Sequence, residues 1–270
     1  MRVSHPFLAL RPPLSIGHRG CAGEVPENTL ASFEAGLAAG AVILESDVHL
    51  TRDGVPVLIH DDTLERVSDG SGRVAERSLA ELRQLDFGYR FERDGAHPYR
   101  GRGLRIPTLA EALERFAEAR FNLELKEDLP GIVERTAQLV REAQAEARVL
   151  LTAEQAALMQ RIHRHLDAEG IGAARGASAA DVLAFVRAAL DGKPPPPGAM
   201  ALQVPARFQE RPLVTAEFVA HAHRHGLQVH VWTVNEPAEM TRLLDLGVDA
   251  LVSDFPGRVA SVIATRARSA

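Results

Sequence analysis

The sequence predicts a (β/α)8 TIM barrel, an α/β fold, as a single unit over residues 1–270 with a small insertion after its second strand. Three observations carry that prediction. Short apolar runs recur at 14–17, 42–48, 121–126, 148–152, 171–174, 200–204, 228–233 and 250–253. Most intervals between them are rich in Ala, Leu, Glu and Arg, with apolar residues at helical spacing. The 270 residues, 46% hydrophobic and 25% charged, have the composition of a globular chain with a substantial core. A βα unit repeated about eight times over this length suits a closed barrel, with a doubly wound sheet as the alternative topology.

The elements follow in order. Strand 14–17 ends at His18-Arg19 and runs into "PENT" at 26–29, where Asn28 or Thr29 caps a helix reaching Ala39. Strand 42–48 leads to Asp53-Gly54, a hairpin signal between two apolar runs. Residues 61–106 are weakly periodic, rich in charge and glycine, and too long for a plain connection, so they read as an inserted, lid-like subdomain. Thr108 stands three residues before Glu111, a capping box opening a helix over 108–120. "KPPPPG" at 193–198 is a stiff connector on the barrel face opposite the active site. Helices over 216–225 and 237–246 complete the repeat.

Several function classes are excluded. A formal net charge of -5 gives no support to a nucleic-acid partner. Cys21 is the only cysteine, so no internal disulfide and no Cys-rich zinc site can form. Residues 1–13 carry no long apolar stretch, and no run is long enough to span a membrane, so the expected setting is cytoplasmic without stable membrane insertion. There is no G-x-S-x-G, no P-loop (Gly192-Lys193 runs into proline) and no G-x-G-x-x-G after the first strand. His221, His223 and His225 read as a solvated helix face, as do His163 and His165. Cys21 reads as a small turn residue.

The chemistry-bearing residues cluster at strand ends. On strand 42–48, alternation puts Ile43, Glu45 and Asp47 on one face. Two carboxylates on one face of a buried strand repel and are costly to desolvate. A bound cation removes that cost, and so does a strand end open to water. If Asp53-Gly54 is a two-residue loop, the hairpin brings His60 opposite Asp47. In "FNLELKED", Asn122, Glu124 and Lys126 share a face, so Glu124 either pairs with Lys126 or joins the other acids. Three carboxylates suit a hard cation, Mg2+ or Ca2+. Trp232, the only tryptophan, ends strand 228–233 and is either core or a ligand platform. Asn235 and Asp254 also fall at strand ends and are positioned to orient other groups.

Together these residues resemble a known set. "HRG" at 18–20, "PENT" at 26–29, "ESD" at 45–47, "TRDG" at 51–54, "HDDTLERVSDGSG" at 60–72, "ELK" at 124–126, "VWTVNE" at 231–236 and "LVSDFP" at 251–256 are similar to the glycerophosphodiester phosphodiesterase family. The resemblance runs from about residue 14 to 258, and its middle, about 148–210, carries no matching motif. It implies a (β/α)8 barrel with an insertion after the second strand and one divalent cation, Mg2+ or Ca2+. The implied reaction is hydrolysis of a small-molecule glycerophosphodiester to an alcohol and glycerol 3-phosphate. By resemblance Glu45, Asp47 and Glu124 bind the metal and His18 and His60 form the acid–base pair. Arg19 and Lys126 match positions near the phosphate, and Trp232 matches a residue lining the substrate pocket. "RVSDG" and Cys21 depart from the family's pattern away from these positions. The alternatives are a lysophospholipase D, a non-catalytic phosphodiester-binding barrel, and a sugar-phosphate barrel enzyme.

Overall fold

A computed structural model describes residues 5–269. Among the described residues eight parallel strands form the predicted barrel: β1 (Leu14–Gly17), β2 (Ile43–Leu50), β4 (Arg120–Leu125), β5 (Val149–Thr152), β6 (Ala174–Arg175), β7 (Ala201–Pro205), β10 (Gln228–Trp232) and β11 (Ala250–Ser253). Their order is β6-β5-β4-β2-β1-β11-β10-β7, and the Met200 amide donates to the Arg175 carbonyl (2.9 Å) across the remaining seam. A short β3 (Pro56–Leu58) pairs antiparallel with β2, and β8 (Arg207–Phe208) with β9 (Arg211–Pro212) forms a small hairpin after β7. Helices α1 (Leu30–Ala38), α3 (Leu109–Arg115), α4 (Ile132–Glu142), α5 (Ala156–Glu169), α6 (Ala179–Leu190), α7 (Ala216–Arg224), α8 (Pro237–Asp245) and α9 (Pro256–Ser269) return the chain between strands, with α2 (Leu79–Leu82) inside the 61–106 segment.

Alternation along each strand sorts the core into two layers. Leu14, Ile16, Ile43, Leu150, Ala174 and Ala250 fill the barrel interior, and buried Phe7 plugs its N-terminal end. Leu44, Val48, Leu123 and Leu151 face outward onto the helices. Helix α4 shows the matching period: Ile132, Val133, Thr136, Ala137 and Val140 are its buried residues. Burying each large aliphatic or aromatic side chain contributes about 1.5–3 kcal/mol, which makes this double layer the main source of stability.

The predicted caps form: Thr108 and Glu111 make a reciprocal capping box. Thr29, not Asn28, caps α1 by accepting from the Ser32 amide. The run expected as a strand at 171–174 starts pairing only at Ala174. Gly170 caps α5 in the left-handed region (φ 63°) and the Ile171 amide returns to the Leu166 carbonyl (2.9 Å), so Ile171 belongs to the helix stop.

One register differs from expectation. Val48 pairs with Leu58 and the Thr51 amide with the Val55 carbonyl, which leaves a three-residue loop, Arg52-Asp53-Gly54, with Gly54 at φ 75°. The Ile59 amide donates to the Asp47 carbonyl (3.1 Å), so Ile59, not His60, lies opposite Asp47. His60 is the next residue, beyond the ladder.

The 61–106 segment shares a small apolar cluster with the hairpin: Leu64, Val74, Leu82, Phe87 and Ile106 pack with Val57 and Ile59. Among the described residues the exposed large hydrophobics are Val42, Leu183, Leu190, Phe208 and Trp232, none of them in this segment. No described helix is long and apolar enough to cross a membrane. The solvated histidine face is corrected in part: His221 is buried against Phe185, and His223 bonds Asp249 (2.8 Å).

Candidate active site

The C-terminal ends of β1, β2, β4 and β11 converge on one point. Glu45, Asp47 and Glu124 each bring a carboxylate oxygen within 4.8 Å of the other two. Register explains the meeting, because Asp47 pairs with Glu124 across the β2–β4 ladder. Glu45 and Asp47 are buried, so their charge must be met locally. Lys126 Nζ lies 3.2 Å from Asp47 and 3.0 Å from Glu124. Arg19 Nε lies 3.6 Å from Asp47, and Asn28 donates to Asp47 (3.0 Å) while accepting from Ser46 (2.6 Å). Burial works against the Asp47 charge, but Lys126, Arg19 and His60 outweigh it and hold its carboxyl below the ordinary range. Glu45 moves the other way: burial and the neighbouring Asp47 charge push it up, against His18 and Arg19.

The turn after β1 aims backbone at this cluster. Arg19 and Asn28 both sit in the left-handed region (φ 49° and 54°), and the Arg19 carbonyl accepts from the Asn28 amide (3.0 Å) and the Ser32 hydroxyl (2.9 Å). The strained turn turns the Arg19 amide onto Glu45 Oε2 (3.0 Å). Gly20 (φ 93°) makes the close approach to α1 feasible, since a Cβ there would stand 2.6–2.7 Å from the Ser32 backbone.

Both predicted histidines are held by carboxylates. His18 Nδ1 lies 2.6 Å from Asp254 Oδ1, and Nε2 lies 4.0 Å from Glu45. A carboxylate only accepts, so Nδ1 carries the proton and Nε2 faces the acids. Burial disfavours the imidazolium, but the Asp254 bond and the Glu45 charge raise the His18 pKa overall. Asn235 fixes Asp254 in turn, donating to Oδ2 (2.7 Å) while its own oxygen accepts from the Asp254 amide (3.0 Å). His60 Nδ1 lies 2.6 Å from Asp61 Oδ1. His60, Asp61 and Lys126 line a common cavity of about 520 Å3, so His60 reaches the site from beyond the hairpin ladder.

Arg19 pairs with Glu27 (2.9 Å), and the Lys126–Glu124 ion pair forms alongside the acidic cluster. Trp232 closes the far rim: it ends β10 opposite Pro205 and is 45% exposed, so it is not core. Buried Cys21 has its thiol pushed up to about 12 by burial and Glu24, which fits a turn residue and not a nucleophile. Sequence reasoning missed Asp61, Glu27 and Arg66 as parts of the site, and assigned Asn28 only as a cap candidate. The doubled acid in "HDD" was the available signal for Asp61.

A TIM barrel that gathers three acids and two carboxylate-held histidines at the C-terminal ends of its strands has the build of a barrel enzyme's active site. The model of the glycerophosphoryl diester phosphodiesterase family matches residues 18–258, and the chain belongs to that family. It is 31% identical over 258 residues to a glycerophosphodiester phosphodiesterase of Caldanaerobacter subterraneus subsp. tengcongensis, covering 93% of this chain and 97% of that one. It is also similar to the structure of an Oleispira antarctica phosphodiesterase in complex with the product sn-glycerol-3-phosphate, at 31% identity and a TM-score of 0.73, over 93% of this chain and 96% of that one. A glycerophosphoryl diester phosphodiesterase from Parabacteroides distasonis matches at 29% identity and a TM-score of 0.70, over 97% and 90%.

Proposed function

We propose that the protein hydrolyses glycerophosphodiesters to an alcohol and glycerol 3-phosphate, with one divalent cation, Mg2+ or Ca2+, and His18 and His60 as the acid–base pair. The observation that carries this reading is the meeting of three carboxylates with two histidines, each histidine fixed by its own acid. The donor set fits a hard cation: Glu45, Asp47 and Glu124 offer only oxygen, and a cation would offset the burial and the Asp47 charge that push Glu45 up. When bound, the cation neutralises charge on the phosphoryl group.

The chain's own residues do the rest. Lys126 adds a point charge beside the acids, and Arg19 offers a planar fork suited to two phosphate oxygens. Of the two Nδ1-anchored imidazoles, one accepts a proton at Nε2 from the nucleophile and the other returns one to the leaving alkoxide. That nucleophile is water, or the adjacent glycerol hydroxyl by way of a cyclic phosphate. Either route ends with water's hydroxyl on phosphorus and its proton on the alcohol. Residues 1–270 act as one catalytic unit, with 61–106 as an inserted wall beside His60. A lone buried thiol, Cys21, suits the cytoplasm.

The test is a panel of glycerophosphodiesters, with Mg2+ and Ca2+ added back separately to chelated protein and glycerol 3-phosphate measured as product. Release of glycerol 3-phosphate with one of the two cations is expected. No turnover of any diester with either cation overturns the proposal.

A further inference from the structure

Within the 61–106 segment, Arg66 ties the two sides of the site together. Its guanidinium makes four hydrogen bonds to two carboxylates. Nε and Nη2 bond Asp61 (2.6 and 3.2 Å), and Nη1 and Nη2 bond Glu27 (2.6 and 2.8 Å). Asp61 is the acid that holds His60 Nδ1, and Glu27 is the acid that holds Arg19. An unbroken chain, His60–Asp61–Arg66–Glu27–Arg19, therefore crosses from the end of the β3 hairpin to the end of β1.

We propose that Arg66 is a positioning residue, which orients the His60 imidazole through Asp61 and registers it against Arg19 through Glu27. This rests on the acid–base reading of His60 given above. Three observations favour positioning over plain stabilisation. The Arg66 side chain is 44% exposed, and exposed ion pairs contribute little to stability. Its contacts are two-pronged on each carboxylate, and such a fork fixes the planes of the groups it binds, which a lysine cannot do. The His60 backbone has its own support, because His49 Nε2 donates to the His60 carbonyl (3.0 Å) while Nδ1 faces Glu127 (3.3 Å), itself bonded by Arg73 (2.5 Å). Loss of Arg66 thus frees the ring and leaves the backbone held.

The experiment compares wild type with Arg66→Ala and Arg66→Lys. Three readouts are used: kcat and KM on a glycerophosphodiester, the 15N shifts of the His60 imidazole in metal-free protein, and the thermal midpoint. Arg66→Ala should lower kcat about 10- to 100-fold, the usual scale for groups that orient an active-site ligand or base. KM should change less than about threefold. Arg66→Lys should stay at least about fivefold below wild type despite keeping the charge, and guanidinium added to Arg66→Ala should restore part of kcat. The His60 shifts should move from one Nδ1-protonated form to a mixture of tautomers. An unchanged tautomer in both variants overturns the proposal, whether kcat is kept or falls with the thermal midpoint. Should wild type show no diesterase activity, the function proposed above fails while the tautomer readout still decides the role of Arg66.

Discussion

The two arcs of the barrel mouth share one backbone plan and carry opposite chemistry. Around β11, β1, β2 and β4 the strand ends present Asp254, His18, Glu45, Asp47 and Glu124. Around β5, β6, β7 and β10 the corresponding residues are Thr152, Gly176, Pro205 and Trp232, and the one charged residue that ends a strand there, Arg175 of β6, is paired with Asp167. The histidines make the contrast quantitative. In the charged arc His18 gains from Asp254 and Glu45 more than burial removes, and its pKa rises. In the neutral arc His230 is fully buried, its Nε2 meets only Gln228 (3.1 Å), and burial lowers its pKa to about 4. Burial is outweighed at His18, where Asp254 bonds the ring, and not at His230, where the Asp249 charge acts without a hydrogen bond to the ring. On the function proposed above, the phosphoryl group of a diester is expected at the charged arc and its alcohol end at the neutral one.

The largest expected effect tests the charged arc as a whole. Chelation with EDTA should abolish diester turnover and Mg2+ or Ca2+ should restore it; full activity in metal-free protein would break the comparison at its base. Next come the histidines. His18→Ala and His60→Ala should each lower kcat by about two to four orders of magnitude, the scale of acid–base groups. Near-wild-type turnover in a folded, metal-loaded variant would remove that residue from the pair.

His230 tests the neutral arc by stability. Its folded pKa of about 4 lies below the unfolded value near 6.5, so between those values the unfolded chain binds a proton that the native barrel refuses. Stability is therefore unaffected above about pH 6.5 and lost as pH falls toward 4, by up to about 3 kcal/mol for a shift of this size. Urea unfolding of wild type and His230→Gln from pH 7.5 to 5 should show the shallower acid loss in the variant. Equal slopes would mean that His230 takes up its proton in the native barrel.

The strand-and-helix repeat was legible because period-two and helical patterns survive in single stretches, and the inward face of Glu45 and Asp47 followed from alternation alone. The β2–β3 register was not. Asp53-Gly54 serves a two-residue loop and, with Arg52, a three-residue one, and the choice rests on the left-handed Gly54 and the Thr51–Val55 pairing. His60 comes to the cavity it shares with Lys126 not through the expected register but as the residue beyond the ladder. The Glu27–Arg66 contact spans 39 residues and lies on two loops, where no periodicity carries information. His221 differs for a related reason: a histidine four residues from another on a helix with a polar side looks solvated until the adjoining α6 brings Phe185 against it.

The smallest expected effect sharpens the neutral arc. Trp232 leaves 45% of its surface open at the rim, and its partner across the β7 ladder, Pro205, carries no charge. An apolar portion of the leaving alcohol covering roughly 50 Å2 of the ring gains about 1–1.5 kcal/mol at 25 cal/mol per Å2. Trp232→Ala should then raise KM about five- to tenfold for a diester whose alcohol carries an alkyl chain. It should leave kcat, and the KM of a diester with a bare small alcohol, within about twofold. That split separates the arcs, because a defect in the charged arc lowers kcat for every diester regardless of its alcohol. A uniform fall in kcat across both substrates would instead tie Trp232 to the reacting phosphoryl group and move the boundary between the arcs past β10.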